Sequence, residues 1–410
     1  MIDPYKIRKD FPMYENKVKM QNSDLVFLDN ASTTFKPYSV LKAIETYYGY
    51  ETSNSHRGDY DLCYNADVKI KQTREKVAKL INSKANECVF TSGTTSSLNL
   101  IAYGWAVKHL NKDDEILISI EEHASNSLPW FEVARITGCK ISYIGLDKEG
   151  RITPTNVKKA INKNTKLISI AMMSNVLGYL VDVKSIAKIA HENNALLSVD
   201  GAQAVPHMRI DVKDLDIDFL SFSAHKMCGP TGVGVLFAKE NILDDMDAVF
   251  VGGGNNVNFR PEHEVNYLKA PEKFEAGTLN IEGIYGFNAA LDYLENLGLE
   301  NIEEYEQNLR KYAIKRMSEV EDLEIYNPSA EASIITFNKK GIFAQDLGTY
   351  LNSKGIAVRT GQHCAKMLPL FLNTPATVRV SLYFYTTKED IDKLVDALKT
   401  GGNFLDAYFA

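Results

Sequence analysis

No two of the five cysteines stand in a C-x-x-C pair. Cys63, Cys88, Cys139, Cys228 and Cys364 are scattered along 410 residues. Their odd number and spacing exclude a disulfide framework and a structural zinc site, and no metal is expected. Cys88 and Cys139 sit in or beside apolar runs and read as small buried hydrophobes. An excess of positive charge is also missing. Against 53 Asp and Glu the chain has 46 Lys and Arg, a net charge of -7. Nothing favours a polyanion, so nucleic acid is not an expected partner. The first residues, "MIDPYKIRKDF", carry charges from the start and no apolar h-region, so no secretory signal is expected. The most apolar runs, such as "LISIAMM" (167–173), are far too short to span a membrane. The expectation is a soluble cytoplasmic protein with no membrane partner. Repeats, low-complexity segments and Pro/Gly-rich linkers are absent too.

What is present is a core. The chain is 45% hydrophobic, enough for about two domains. Short Ile- and Val-rich runs, among them "EILISI", "KLISIAMM", "ALLSVD" and "DFLSFSA", alternate with segments such as "VDVKSIAKIAHENN" that have apolar residues at helical spacing. Continuous apolar strands separated by helices predict an α/β fold with a mainly parallel sheet covered on both faces, from about residue 85 to about 240. After "FEAGTLNIEG" (274–283) a long helical stretch leads into the alternating strands "ASIITFN" and "GIAVRTG" and two closing helical segments. That texture predicts a smaller α+β domain beginning near residue 283.

In open α/β sheets ligands bind at the carboxyl ends of the strands. The polar residues after each apolar run are therefore the candidates. They are Glu122, His123 and Asn126; Ser174 and Asn175; Asp200 and Gln203; and Ser223, His225 and Lys226. In "CVFTSGTTSSLNLI" a strand passes through Gly93, Thr94 and Thr95 into a helix. That arrangement is either an ordinary N-cap or an anion site, because free N–H groups and the helix dipole favour a phosphate there. It is not a Walker A loop, since no Lys follows in register. Lys226 is either a solvated loop lysine or a Schiff-base lysine. A phosphate cradle, a lysine and a strand-end aspartate are together the parts that pyridoxal 5'-phosphate requires: an anchor, a covalent handle and a partner for the pyridine nitrogen. In "VRTGQHCAKML" (358–368), Cys364 is a buried filler, a metal ligand or a nucleophile.

The blocks "LVFLDNASTT" (25–34), "SHRGDYD" (55–61), "SVDGAQAVPH", "SFSAHKMCGPTGVGVL", "FEAGT", "RTGQHCA" and "VRVSLYFYTTKEDIDKL" (378–394) occur in this order. They closely resemble the class V aminotransferase superfamily of pyridoxal-phosphate enzymes, and within it the cysteine desulfurase and selenocysteine lyase group, nearest its SufS-like branch. The resemblance covers essentially the whole chain. It implies the fold type I transferase architecture, with a seven-stranded type of mainly parallel sheet. The implied organisation is an N-terminal segment (1–24) packing with the small domain, a large cofactor-binding domain (25–283) and a small C-terminal domain (284–410) carrying the Cys364 loop.

Carried over residue by residue, the resemblance implies that Lys226 holds the cofactor covalently and that Asp200 pairs with the pyridine nitrogen. Gln203 contacts the ring hydroxyl, and His123 stacks on the ring and joins Lys226 in proton transfer. Thr94, Thr95, Ser223 and His225 hold the phosphate. Thr278 reaches the phosphate of the other subunit of a homodimer. Asn175, Arg359 and Arg379 surround the substrate, with Arg379 on its carboxylate, and Cys364 receives the sulfur. The implied activity is desulfuration of L-cysteine to L-alanine. The persulfide passes to a SufE- or SufU-type acceptor protein for iron–sulfur cluster assembly. L-selenocysteine lysis and class V aminotransfer are the alternatives on the same cofactor. Three positions depart from the pattern. Gln362 replaces the first of two histidines before the cysteine. Ala124 follows Glu122-His123 where a second histidine is usual. Gln345 precedes Asp346 where members paired with a zinc-bearing acceptor carry histidine.

Overall fold

A computed structural model describes residues 2–55 and 58–400. His56 and Arg57 of the "SHRGDYD" block, with Met1 and residues 401–410, lie outside the described residues.

The apolar runs form one seven-stranded sheet. Its strands are β1 (Cys88–Thr91), β2 (Glu115–Ser119), β3 (Lys140–Ile144), β4 (Thr165–Ala171), β5 (Leu196–Asp200), β6 (Phe219–Ser223) and β7 (Gly234–Ala238). They lie in the order β1-β7-β6-β5-β4-β2-β3. Neighbours from β6 through β3 pair in parallel, and only β7 runs against its two neighbours. The continuous apolar pattern arises because both faces are buried. Along β2, Leu117 enters one core cluster while Ile116 and Ile118 enter the other, as the two-residue period of a strand requires.

Helices cover the sheet for readable reasons. In α3 (Val183–Glu192) the Asp182 side chain caps the first turn by accepting from Ser185 N–H. Its Val183, Ile186, Ala187 and Ala190 fall on one buried face. The long α1 (Asp61–Ile81) and the shorter α2 (Thr94–Ile101) precede it, and α4 (Ile281–Leu297) and α5 (Leu299–Met317) follow.

A second sheet lies beyond them: β8 (Leu323–Ile325), β9 (Ile334–Lys339), β10 (Arg359–Gly361) and β11 (Thr377–Ser381), in the order β8-β9-β11-β10. The closing helix α6 (Lys388–Lys399) starts with a reciprocal cap between Thr387 and Asp390. The N-terminal segment packs against this end of the molecule. Arg8 pairs with Asp390 and donates from Nε to the Tyr385 carbonyl at 2.8 Å. Phe11 is buried among Tyr293, Phe384 and Tyr385. Val26 and Phe27 then pair in parallel with Ile356 and Ala357, so this stretch carries Asp29 to Ser32 in between the two sheets. No helix among the described residues is long and apolar enough to cross a membrane.

Candidate active site

A cavity of about 210 Å³ opens at the carboxyl ends of β4, β5 and β6. Of the residues read from sequence, Thr94, Thr95, His123, Asn175, Asp200, Gln203, Ser223, His225, Lys226, Arg359 and Arg379 line it, whereas Glu122, Asn126, Ser174, Thr278 and Cys364 do not.

One end is built to take an anion. At Gly93 (φ +150°) the chain leaves β1 and enters α2. A Cβ on Gly234 of the adjacent β7 would come within 2.4 Å of Gly93 Cα, so the turn sits down on the sheet only because both are glycine. Ser223 Oγ accepts from Thr94 N–H at 2.8 Å and lies 2.7 Å from Thr94 Oγ1. Thr95 Oγ1 lies 2.8 Å from Ser125 Oγ. His225 Nδ1 lies 3.2 Å from Thr33 Oγ1. These hydroxyls gather at a helix N-terminus, the arrangement that suits a phosphate.

Lys226 follows β6 directly. Burial pulls its amine down to about 8, against the opposing Asp200 carboxylate and with help from Arg379 and Arg359. A substantial neutral fraction at physiological pH is what a lysine needs to condense with an aldehyde. Asp200 ends β5. Burial raises its pKa, against the Ala202 N–H that its Oδ1 accepts at 2.9 Å and against Lys226. It has no ion-pair partner within 4.0 Å among the described residues, so a buried carboxylate faces the cavity short of a cation. A protonated pyridine nitrogen supplies one. Gln203 donates to the Ala31 carbonyl at 2.8 Å, which fixes its amide in the wall. His123 is held neutral, its pKa lowered to about 4 by burial, then by Lys226 and the two arginines. Its Nδ1 accepts from Ser125 N–H at 3.1 Å, so the remaining ring proton is on Nε2. The hydroxyl cradle, the lysine and the uncompensated aspartate together fit pyridoxal phosphate.

The opposite end is cationic. Arg379 is 1% exposed. It donates from Nη1 to the Asn175 carbonyl at 2.8 Å and from Nη2 to Asp29 Oδ1 at 2.9 Å and Ser32 Oγ at 3.1 Å. Arg359 Nη1 donates to the same Ser32 Oγ at 2.8 Å. Two guanidiniums converge on one hydroxyl, and Arg379 Nε has no partner. That is a site for a carboxylate. Sequence reasoning passed over Ser32 and Asp29 as participants, although the "LDNAST" block contains both.

Cys364 is partly buried at the rim, outside the cavity lining. Arg359 Nη2 reaches its Sγ at 3.4 Å. Its carbonyl accepts from Ala124 N–H at 2.7 Å, so the position that lacks a second histidine serves the loop through its backbone. Gln362 is exposed, whereas the remaining histidine, His363, is 3% exposed and lines the cavity. The other four cysteines are buried. Burial pushes Cys88 and Cys228 up to about 12, which leaves them poor nucleophiles. Glu122 and Asn126 do not reach the cavity. Glu122 accepts from Ser119, Asn126 and the Ala171 N–H and so ties β2 to β4. Thr278 is exposed and lies beside a separate groove.

Comparison with known proteins agrees with this geometry. The class-V aminotransferase family model matches residues 26–394. A probable cysteine desulfurase of Halalkalibacterium halodurans is 43% identical, covering 97% of this chain and 98% of its own. A cysteine desulfurase of Haloferax volcanii is 39% identical, covering 97% and 96%. The crystal structure of the Escherichia coli cysteine desulfurase CsdA superposes with a TM-score of 0.91 at 32% identity, covering 99% of both chains. The chain belongs to the class-V aminotransferase family, whose cofactor is pyridoxal phosphate.

Proposed function

We propose that the chain is a cysteine desulfurase that takes sulfur from L-cysteine onto Cys364 and releases L-alanine. The observation that carries this reading is the Cys364 thiol on Arg359, which shares Ser32 with Arg379 at the edge of the Lys226 cavity. Aminotransfer uses the lysine and the aspartate and has no use for a thiol there.

The residues divide the work by chemistry. Arg379 and Arg359 hold the substrate carboxylate. Thr94, Thr95, Ser223 and His225 hold the cofactor phosphate, Gln203 meets the ring hydroxyl and Asp200 meets the pyridine nitrogen. Bound pyridoxal phosphate acts as an electron sink for the substrate's α-carbon. Lys226, with its lowered pKa, takes and returns protons at that carbon. His123 covers the ring and stays neutral. Cys364, as thiolate, attacks the substrate sulfur. An S–S bond forms as the C–S bond breaks, the carbon keeps the electron pair and gains a proton, and alanine leaves. The sum is L-cysteine plus thiol giving L-alanine plus persulfide. Thr278, exposed and outside the lining of its own cavity, contributes to the phosphate site of a second copy in a homodimer. The persulfide then moves to a SufE- or SufU-type acceptor protein that feeds iron–sulfur assembly.

A single turnover with L-cysteine followed by alkylation and peptide mass spectrometry tests this reading. The extra sulfur is expected on the Cys364 peptide. Sulfur on another cysteine, or on none, overturns the assignment.

A further inference from the structure

The loop that presents Cys364 is held from three sides. Gly361 pairs with Thr377 across β10 and β11. Two residues on, His363 turns back to the same strand, with Nε2 2.8 Å from Thr377 Oγ1. The His363 carbonyl accepts from Asn175 Nδ2 at 2.8 Å. Between these ties stand two successive non-glycine residues in the left-handed region, His363 at φ +52° and Cys364 at φ +60°. His363 Nδ1 is buried without a partner. Left-handed backbone at non-glycine residues and an unsatisfied buried nitrogen are both unfavourable, and they persist where the surroundings over-determine the conformation. Here they fall on the residue that bears the thiol and the one before it.

We propose that His363 is the positioning residue for Cys364. Its ring, anchored on Thr377, and its carbonyl, anchored on Asn175, fix the backbone that holds Sγ against Arg359. The proposal rests on Cys364 as the sulfur acceptor and assigns to His363 no proton transfer. Gln362, though it interrupts the two-histidine pattern, is exposed and outside this clamp.

Holoenzyme carrying His363→Ala or Thr377→Val tests it; the second keeps the side-chain shape and removes only the hydroxyl. Three quantities are read: the cofactor absorbance change on adding L-cysteine, the rate of persulfide formation on Cys364, and the iodoacetamide alkylation rate of Cys364 without substrate. Loss of one neutral hydrogen bond corresponds to roughly 3- to 10-fold. Persulfide formation should fall by about that factor in Thr377→Val and by more in His363→Ala. The L-cysteine concentration giving half the absorbance change should move less than about twofold. The alkylation rate should change about threefold or more in both variants. An unchanged alkylation rate overturns the proposal, as does equal loss of binding and persulfide formation. If His363→Ala does not fold, Thr377→Val decides. Wild-type protein that forms no persulfide on Cys364 would refute the desulfurase assignment instead, while the alkylation rates would still report on the clamp.

Discussion

Arg359 and Cys364 are joined by a hydrogen bond from Nη2 to Sγ at 3.4 Å, and the same guanidinium is steadied through Nη1 by Ser32 at 2.8 Å. The cation that faces the substrate end of the cavity is therefore also the thiol's donor. Replacing Arg359 with Leu removes both interactions. Alkylation of Cys364 by iodoacetamide is expected to slow by roughly tenfold, as for the loss of one charge-assisted hydrogen bond. Equal rates in the two proteins would show that the contact does not govern the thiol.

The Lys226 amine, lowered to about 8 chiefly by burial, sets the pH dependence of cofactor loading. Only the neutral amine condenses, and its fraction grows as pH rises. The rate of covalent loading of cofactor-free protein should therefore increase with pH and reach half its plateau near pH 8, well below the roughly 10.4 of an ordinary lysine. Absorbance stopped-flow measures it. A rate still climbing steeply at pH 10 would contradict the lowered pKa.

Three histidines of the cavity stay neutral. Burial foremost, then neighbouring cations, lowers His123 and His225 to about 4 and His363 to about 3. Their ring resonances should be flat from about pH 5 to about pH 8, the range in which an unperturbed histidine titrates. Nitrogen-15 NMR of histidine-labelled, cofactor-free protein reads this directly. A midpoint near 6.5 for any of the three would contradict the neutral site.

Arg74 and Glu275 form a buried bidentate pair at 2.6 and 2.8 Å, and Glu275 also accepts from Phe90 N–H at 2.7 Å. The pair locks the "FEAGT" segment, and with it Thr278, to β1. Arg74→Met leaves a buried carboxylate uncompensated, so a destabilisation of about 3–5 kcal/mol is expected. Adding Glu275→Gln should recover part of the loss. Denaturant midpoints measure both, and an unaltered midpoint in Arg74→Met would contradict the assignment.

The strand-end residues were legible in the sequence because a parallel sheet puts its chemistry in one place. Asp200, Ser223 and Lys226 needed only the apolar runs before them. The reversed direction of β7 was not legible, since strand direction follows from chain connections and leaves no mark in a short apolar run. Ser32 and Asp29 stayed hidden for a related reason: their partners, Arg359 and Arg379, are more than three hundred residues away in the chain. His363 was overshadowed by its neighbour. The unusual letter at Gln362 drew the eye, yet burial and left-handed backbone put the structural weight on the histidine that fits the pattern.

The central claim is that Lys226 and Cys364 act in one reaction, and the products of L-cysteine turnover test it most directly. Wild-type protein with L-cysteine and a reductant should yield alanine and sulfide in equal amounts. Cys364→Ala should keep its cofactor and lose most of that turnover. A keto acid in place of alanine, or sulfide release at the wild-type rate from Cys364→Ala, would contradict it.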